Sequence, residues 1–527
     1  MRLNMNKLAA AVLLLSGATG AHAQIFKVTL SGANENPPVT TNGSGSAIVA
    51  FNTTTHELRV SARFLGLTGN TTASHIHCCV APTANGGVAT TTPTFVGFPI
   101  GVTAGSWDNT YNMTAAGTWN AAFVTANGGT TAGAEAALLA GALSGQSYLN
   151  IHSSFAAGGE IRGTLLRHSF VSATPARSAG LGAALDALGA GTGALSDRLV
   201  GLAMLDTAGQ RSALDLLLPA SSAAVQTVTS NTLFTEFDQI GSRMEGLRIS
   251  DSAPTSGGFW IKAIGIDSQQ DAEQGFAGFD DNAWDGAIGY DRVLGTDFVV
   301  GVSVGLAEHS LGFSDQLAGS STDIETTQAT LYATKTLGNA YIDGMVSIGQ
   351  HDTDFVRNAG AAGMAKGTAD SDQLGARVAA GLNMEIAAGM TLTPQVKLDW
   401  VSLDLDGYRE FGGSGLALNV DSQSLDRLRS SLGAQLDWGT GTGVMPFVRG
   451  FWNYDWKDDS VVQTAAFAAG GASFTDVGPD TDSSSYSVGA GINFRGGNGF
   501  SAAIAYDFLA NDSFESNMLH AKLLWTF

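Results

Sequence analysis

In the final stretch, Phe514 to Phe527, Leu519, Ala521, Leu523, Trp525 and Phe527 fall on one face of an extended chain, and Met518, His520, Lys522, Leu524 and Thr526 on the other. One face is wholly apolar; the other carries His520, Lys522 and Thr526. That is the pattern of a wall with lipid on one side and a wet interior on the other. A half-buried strand of a soluble sheet alternates in the same way, so the choice rests on the chain upstream. The alternation recurs there at Trp284, Ile288, Tyr290; Phe298, Val300, Val302, Val304, Leu306; Leu392, Val396, Leu398, Trp400; and Leu428, Leu432, Leu436, Trp438. It continues at Val444, Val448, Trp452, Tyr454, Trp456; Tyr486, Val488, Ile492, Phe494; and Phe500, Ile504, Tyr506, Phe508. Small or polar residues such as Ser303, Gln395, Lys397, Asp399, Arg429 and Asp437 lie between them. About twelve strands are predicted from Gly257 to Phe527, each near the length that crosses a bilayer at a tilt.

The connections carry a second, independent signal. Leu294–Asp297, Leu337–Asn339, Ala387–Met390, Gly439–Gly443 and Arg495–Gly499 read as tight turns. They alternate with longer polar loops at Gln269–Asp281, Gly312–Ser321, Asp354–Ser371, Asp406–Gln423 and Lys457–Asp482. Short periplasmic turns and long outer loops are what an even-stranded outer-membrane barrel requires, and closure removes the strand edge that lipid cannot satisfy. Trp400, Trp438, Trp456, Trp525 and Phe527 gather at strand ends, as interfacial aromatics do. The first strand, near Phe259–Ile266, alternates poorly, with Trp260 and Lys262 on one face and Phe259 and Ile261 on the other.

From residue 169 to 250 the strand pattern gives way to a helical linker. Ser196–Met204 and Ser212–Leu218 read as short helices, the second ended by Pro219, and a longer helix is predicted at about 220–248. In the latter Val225, Val228, Thr232, Leu233, Phe237, Ile240, Met244 and Leu247 form a narrow apolar stripe, with Gln226, Ser230, Asn231, Glu236, Asp238 and Arg243 around it. Two readings stand: a helix packed on a neighbouring domain, or a pore helix that fills the barrel lumen, where a mostly polar helix meets polar walls. The barrel that follows at once favours the second.

The segment from Gln24 to His168 carries short β-prone runs at Phe26–Ser31, Ser46–Phe51, Glu57–Phe64, Ala73–Ile76, Ser147–His152 and Glu160–Leu166, spaced as in a small antiparallel β-sandwich. Ala132–Leu143 is predicted as one helical excursion. His75 and His77 point to one strand face, and Asn150 and His152 share a face of another. If the two strands meet, three imidazoles converge, enough for zinc or copper with one position open. The competing reading is that these histidines hydrogen-bond their neighbours. Glu160 and Arg162 share a face and are expected to brace the sandwich with Glu35, a catalytic carboxylate being the weaker reading. Cys78 and Cys79 are the only cysteines. A vicinal disulfide, free thiols or soft-metal ligation are all open to them.

Composition narrows the classes further. With a net charge of -21 the chain is a poor binder of nucleic-acid phosphates, and no nucleic-acid partner is expected. No run of about eighteen apolar residues occurs, so the sequence offers no spanning helix. Residues 1–23 have the basic start, apolar run and small-residue exit of a Sec-type signal peptide, with cleavage expected between Ala23 and Gln24.

Two resemblances follow from these motifs. Ser31–Pro38 (SGANENPP), Ala73–His77 (ASHIH), and Tyr148–His152 (YLNIH) followed by Gly159–Gly163 (GEIRG) resemble, in this order, the CHRD (chordin-like) domain. That resemblance implies an extracytoplasmic Ig-like or superoxide-dismutase-like sandwich, in a family whose bacterial members mostly lack a defined activity. Signal, passenger, helical linker and a terminal barrel over 257–527 together resemble an autotransporter of the type V secretion class. This implies a barrel in outer-membrane lipid that helps move residues 24–168 to the cell surface, and a last strand, with Trp525 and Phe527, read by the barrel assembly machinery. The passenger lacks the repeated rungs of a β-helix, and the linker helix has no Asn-Asn pair of the kind some members use for self-cleavage. The leading expectation is a display protein that binds an unidentified surface ligand without catalysis. A metal-dependent redox or hydrolytic passenger and a porin-like channel are the alternatives.

Overall fold

The computed structural model describes residues 24–220, 222–248, 257–273, 275–439, 443–457, 460–479, 482–496 and 499–526. The expected signal peptide, with Ala23 of its cleavage site, and Phe527 lie outside the described residues. The chain divides into two compact units: one runs up to Phe170 and includes Leu185–Asp206, and the other comprises Val171–Ala184 and everything from Thr207.

In the first unit, β1 (Gln24–Ser31), β2 (Ser44–Asn52), β3 (Glu57–Leu65), β4 (Thr71–Cys78), β5 (Gly87–Val88), β6 (Gly105–Asn112), β7 (Ser147–Ser153), β8 (Ile161–Thr164) and β9 (Leu166–Arg167) form one antiparallel sheet. The order is β5-β4-β7-β8-β1-β2-β3-β6, with β9 beside β1. In place of two separate sheets the strands form one half-barrel, continuous where Arg162 of β8 pairs with Ser31 of β1. Phe26, Val28 and Leu30, then Ala47, Val49 and Phe51, then Leu58, Val60, Ala62 and Phe64 turn inward at every second position and close the core with Ile76, Leu149 and Ile151. The sequence reading missed β6, because its Trp107 and Tyr111, both in the core, are separated by Asp108, Asn109 and Thr110. Helix α1 (Ala121–Ala126) is capped by Asn120, and the Ala/Leu stretch forms α2 (Thr131–Leu143), capped by Thr130.

The linker is divided between the units. It holds α3 (Leu181–Leu188), α4 (Gly193–Met204), α5 (Thr207–Asp215) and α6 (Ser222–Arg248). Helix α4 belongs to the first unit, with Leu199, Val200 and Ala203 buried and Asp197 2.6 Å from Arg59 of β3. The helix read at Ser212–Leu218 starts earlier, at Thr207, and ends at Asp215.

In the second unit twelve antiparallel strands close into a barrel: Gly257–Gln270, Phe279–Leu294, Phe298–Phe313, Ser321–Leu337, Ala340–Asn358, Met364–Leu382, Met390–Leu405, Gln423–Trp438, Gly443–Asp455, Ser484–Arg495, Phe500–Ala510 and Phe514–Thr526. The last pairs with the first, Trp525 opposite Phe259 and Phe514 opposite Gln270. Leu519, Leu523 and Trp525 face outward and His520 is buried inside, as the alternation requires. The three tight turns at Leu294–Asp297, Leu337–Asn339 and Ala387–Met390 fall where the sequence puts them, while residues 440–442 and 497–498 of the other two lie outside the described residues. The long loop read at Asp354–Ser371 does not: strand continues to Asn358 and resumes at Met364, with Phe355 still paired to Gly367. Asp352, Asp354, Lys366 and Asp370 are charged and face outward here among Val356, Met364 and Thr368, so the extension reads as loop although its ladder is unbroken. Other long connections build a small sheet in the order Ser178–Ala179, Phe474–Val477, Val462–Phe467, Leu418–Val420, Tyr408–Arg409.

Candidate functional site

Helix α6 runs inside the barrel. Glu236 meets Lys262 at 2.9 Å and accepts from Ser303 at 3.0 Å, while Lys262 also meets Asp285 at 3.0 Å. Arg243 donates twice to Asp291, both at 2.8 Å. Asp238 meets Arg377 at 2.5 Å and Lys397 at 2.7 Å; Gln239 bonds His520 at 2.9 Å, and Thr232 bonds His309 at 2.8 Å. These partners come from strands spread around the wall, so the helix is enclosed rather than laid on one side. Its apolar stripe is buried too: Leu233, Phe237, Ile240 and Met244 pack with Trp260, Tyr332, Met345 and Val401. This is why the first strand alternates poorly, since Trp260 is an inward residue that faces an apolar stripe. Glycines make the room. A Cβ at Gly289 would fall 2.3 Å from the Trp260 ring and one at Gly301 2.3 Å from that of Tyr332, and Trp260 Nε1 donates to Tyr332 Oη at 2.8 Å.

The helix has a direction. Ser222 at its start bonds Gln423, where a strand leaves a long loop. Arg248 at its end bonds Asp343 at 2.8 Å and Thr334 at 2.9 Å, beside the tight turn after Leu337. The chain thus enters the lumen at the long-loop end. That end is tied down by the fully buried Arg357, which donates to both carboxylate oxygens of Glu410 and to the carbonyls of Leu216 and Leu416. Sequence reasoning named Arg243, Glu236 and Lys262 without pairing them. The available signal was a charged residue at an inward position in mid-strand, which the membrane tolerates only inside a barrel.

In the first unit, pairing of β4 with β7 sets His75 opposite Asn150, His77 opposite Tyr148 and Ala73 opposite His152. Ring centroids of the three histidines lie 5.2 to 5.8 Å apart, and one nitrogen from each lies within 4.8 Å of the others. His75 and His77 are buried and His152 is half-buried. Burial pushes all three imidazoles below their ordinary range, His77 to about 4. Tyr148 stacks flat on His77 at 4.8 Å, with the Arg162 guanidinium 4.6 Å from the Tyr148 ring centroid; the sequence reading did not single out Tyr148. The sulfurs of Cys78 and Cys79 are bonded to each other, which removes them as thiolate ligands.

Glu160 and Arg162 do not pair with each other. Burial opposes the charged form of Glu160, but donors from Ser153, Thr41, Thr68 and Gly69 together hold its carboxyl below the usual range. Arg162 donates to the carbonyls of Asn34, Ala84 and Pro82 and to Asn85 Oδ1, fastening two loops. Glu35 lies 3.9 Å from Arg162 with its Oε1 unpartnered, and Asn150 Oδ1 is unpartnered beside it. The two side chains meet over Gly159, where a Cβ would fall within 2.7 Å of both and φ is +131°, a backbone that only glycine adopts freely. Burial pushes the Glu35 carboxyl up to about 7, against the pull of Arg162. Between about pH 4.5 and 7 Glu35 therefore holds a proton in the folded domain that it has lost in the unfolded chain, so its own contribution to stability falls as pH rises through that window, opposed by the three histidines, whose depressed values make them add stability as pH rises toward 6.5. The full shift corresponds to roughly 3 kcal/mol. Glu35→Gln is expected to remove the Glu35 contribution, read as the difference between parent and variant in hydrogen exchange of β7 and β8 amides at pH 5 and 8.

A closed barrel with apolar outward positions and a charged, helix-filled lumen defines an outer-membrane β-barrel protein. Residues 259–507 match the autotransporter beta-domain family, and residues 26–165 match the CHRD domain family. Among curated relatives, outer membrane protein B of Rickettsia japonica is 24% identical over 192 residues, 35% of this chain and 12% of that protein. The pertactin autotransporter of Bordetella bronchiseptica is 25% identical over 241 residues, 44% of this chain and 26% of that protein. The chain thus matches only 12% and 26% of the length of these relatives. Among solved structures, the translocator domain of autotransporter NalP from Neisseria meningitidis is similar over 57% of this chain and 99% of that one, at 16% identity and a TM-score of 0.46. Residues 259–507 thus form an autotransporter beta-domain and residues 26–165 a CHRD domain, and the protein resides in the outer membrane.

Proposed function

We propose that the barrel anchors the protein and helps carry its CHRD domain to the cell surface, where the domain binds an extracellular ligand rather than catalysing a reaction. The direction of α6 carries this reading. Its first residues are held at the long-loop end, and the upstream strand Ser178–Ala179 pairs with Phe474–Val477 of a long connection. A chain that leaves the lumen among the long loops delivers what precedes it to the outer side. The absence of catalysis is supported by the use of Glu160 and Arg162, which are spent on holding loops. The barrel assembly machinery is the expected partner for the last strand, through Trp525 and Phe527.

Protease treatment of intact cells is expected to remove residues 24–168 and leave the barrel in the membrane. Full protection of those residues in unpermeabilised cells, with digestion only after the outer membrane is breached, would overturn surface display.

A further inference from the structure

The three histidines are arranged as ligands, and their hydrogen bonds say which nitrogen each would use. His75 Nε2 lies 2.6 Å from the carbonyl of Pro93, His77 Nδ1 2.9 Å from that of Gly86, and His152 Nδ1 3.0 Å from that of Ala157. A carbonyl only accepts, so each of these nitrogens carries the ring proton. In the neutral rings the opposite nitrogens, His75 Nδ1, His77 Nε2 and His152 Nε2, then carry lone pairs. Backbone carbonyls that fix the tautomer from behind are the usual outer shell of a metal-bound histidine.

Two further observations point to an occupant. His77 Nε2 is buried and has no hydrogen-bond partner, a costly arrangement for a polar atom shut away from water. His75 Nδ1 and His152 Nε2 face each other at 3.3 Å, yet neither has a proton to donate. Two lone pairs in that position repel unless a cation lies between or beside them. For nitrogens about 2.0–2.1 Å from a tetrahedral metal, the expected nitrogen–nitrogen separation is about 3.3–3.4 Å. The pair is thus at coordination spacing already. His77, within 4.8 Å of both, has only to swing inward.

We propose that His75, His77 and His152 bind one zinc or copper ion through His75 Nδ1, His77 Nε2 and His152 Nε2, with a fourth position open toward solvent. Imidazole-only ligation suits these late first-row ions and gives calcium or magnesium, which want oxygen, no foothold. The half-buried His152 lies on the side from which the ion enters and from which a small ligand reaches the open position. The site lies within the CHRD domain, so it does not depend on surface display.

The test uses the full chain in detergent micelles, carrying no polyhistidine tag, equilibrated with Zn2+ or Cu2+ in separate arms and desalted before elemental analysis. One ion per chain is expected in at least one arm. Cobalt substitution should give the visible bands of a tetrahedral centre, and copper the nitrogen hyperfine pattern of imidazole ligation. H77A and H152A should each weaken binding about a hundredfold or more, since loss of a ligand nitrogen costs at least as much as the roughly 10–100-fold lost when only a group behind a ligand is changed. H56A and H168A, changed together, should leave it intact. Should H77A fail to fold, H152Q on the half-exposed ligand carries the same expectation. No stoichiometric uptake of either ion by the parent chain, or undiminished uptake by both H152A and H152Q, would overturn the proposal.

Discussion

Lys262→Met is expected to lower the unfolding free energy of the barrel by about 3–5 kcal/mol, the cost of removing one partner from a buried charge cluster. Lys262 is the cation for two carboxylates at once, Glu236 of α6 at 2.9 Å and Asp285 of the neighbouring strand at 3.0 Å, and all three side chains are at most 1% exposed. Methionine is close to the stem of lysine in length and volume, so the loss isolates the charge. What remains in K262M is two carboxylates facing each other away from water, with Ser303 and Gln328 still donating to Glu236 but Asp285 stripped of the ammonium at its Oδ2, its buried Oδ1 being already unpartnered. Removing the whole cluster should then cost less than removing its centre. The triple variant K262M, E236Q, D285N is expected to recover most of the stability, because a buried ion cluster and a neutral one of similar shape differ little. Guanidinium titration of the full chain in micelles, followed by barrel ellipticity, measures both. A K262M midpoint within about 0.5 kcal/mol of the parent would show that the cluster is solvated and that α6 is not sealed in the lumen.

The degree to which this architecture could be read in advance follows from the range of its interactions. Strand existence was legible because lipid imposes a period of two on every spanning segment; Val300, Val302 and Val304 need no knowledge of their neighbours to be read as outward or inward. The inward face was less legible. Trp260 looks like a broken alternation until Leu233 and Phe237 of α6 are placed opposite it, and that pairing joins residues that no local window contains. Charged positions obey the same limit: Arg243 and Asp291 are each visible, but their pairing is a property of where the helix stops along the barrel axis. The limit also shows in the extension past Asp354, where the outer face leaves the lipid, becomes charged and loses the only signal that marked it as strand. In the CHRD domain the His75-Ile76-His77 spacing put two rings on one face from sequence alone. Bringing His152 to them needed the β4–β7 register, and the carbonyls that fix the tautomers come from three separate loops that carry no sequence mark. The polarity of α6, which carries the argument for display, was likewise invisible, since it depends on Ser222 and Arg248 finding opposite ends of the barrel.

The same polarity sets the second large effect, on conduction. Reconstituted in planar bilayers, the parent chain is expected to pass little current, because α6 occupies the lumen and an α-helix with its side chains fills about 10–12 Å of width. Two buried or nearly buried arginines hold its last two turns, beyond the Glu236, Asp238 and Gln239 contacts: Arg243 on Asp291 and Arg248 on Asp343 and Thr334. Removing Arg243 alone leaves Asp291 uncompensated, a loss of about 3–5 kcal/mol that is charged mainly to the seated state, because a released helix lets water reach the carboxylate. Each 1.4 kcal/mol is a factor of ten in an equilibrium, so about 3 kcal/mol raises the population of the released state more than a hundredfold. R243A with R248A adds the second tie and should convert rare, brief openings into frequent ones whose amplitude approaches that of a chain lacking residues 222–248. Cross-linking Ser222 to Gln423 through cysteines at both positions should leave these openings in place, since that bond holds the other end of the helix, and it separates local release of the last two turns from loss of the whole plug. A parent chain that already conducts steadily at the level of the helix deletion would identify the barrel as an open channel. A double variant as silent as the parent would place the seal elsewhere than in these two arginines.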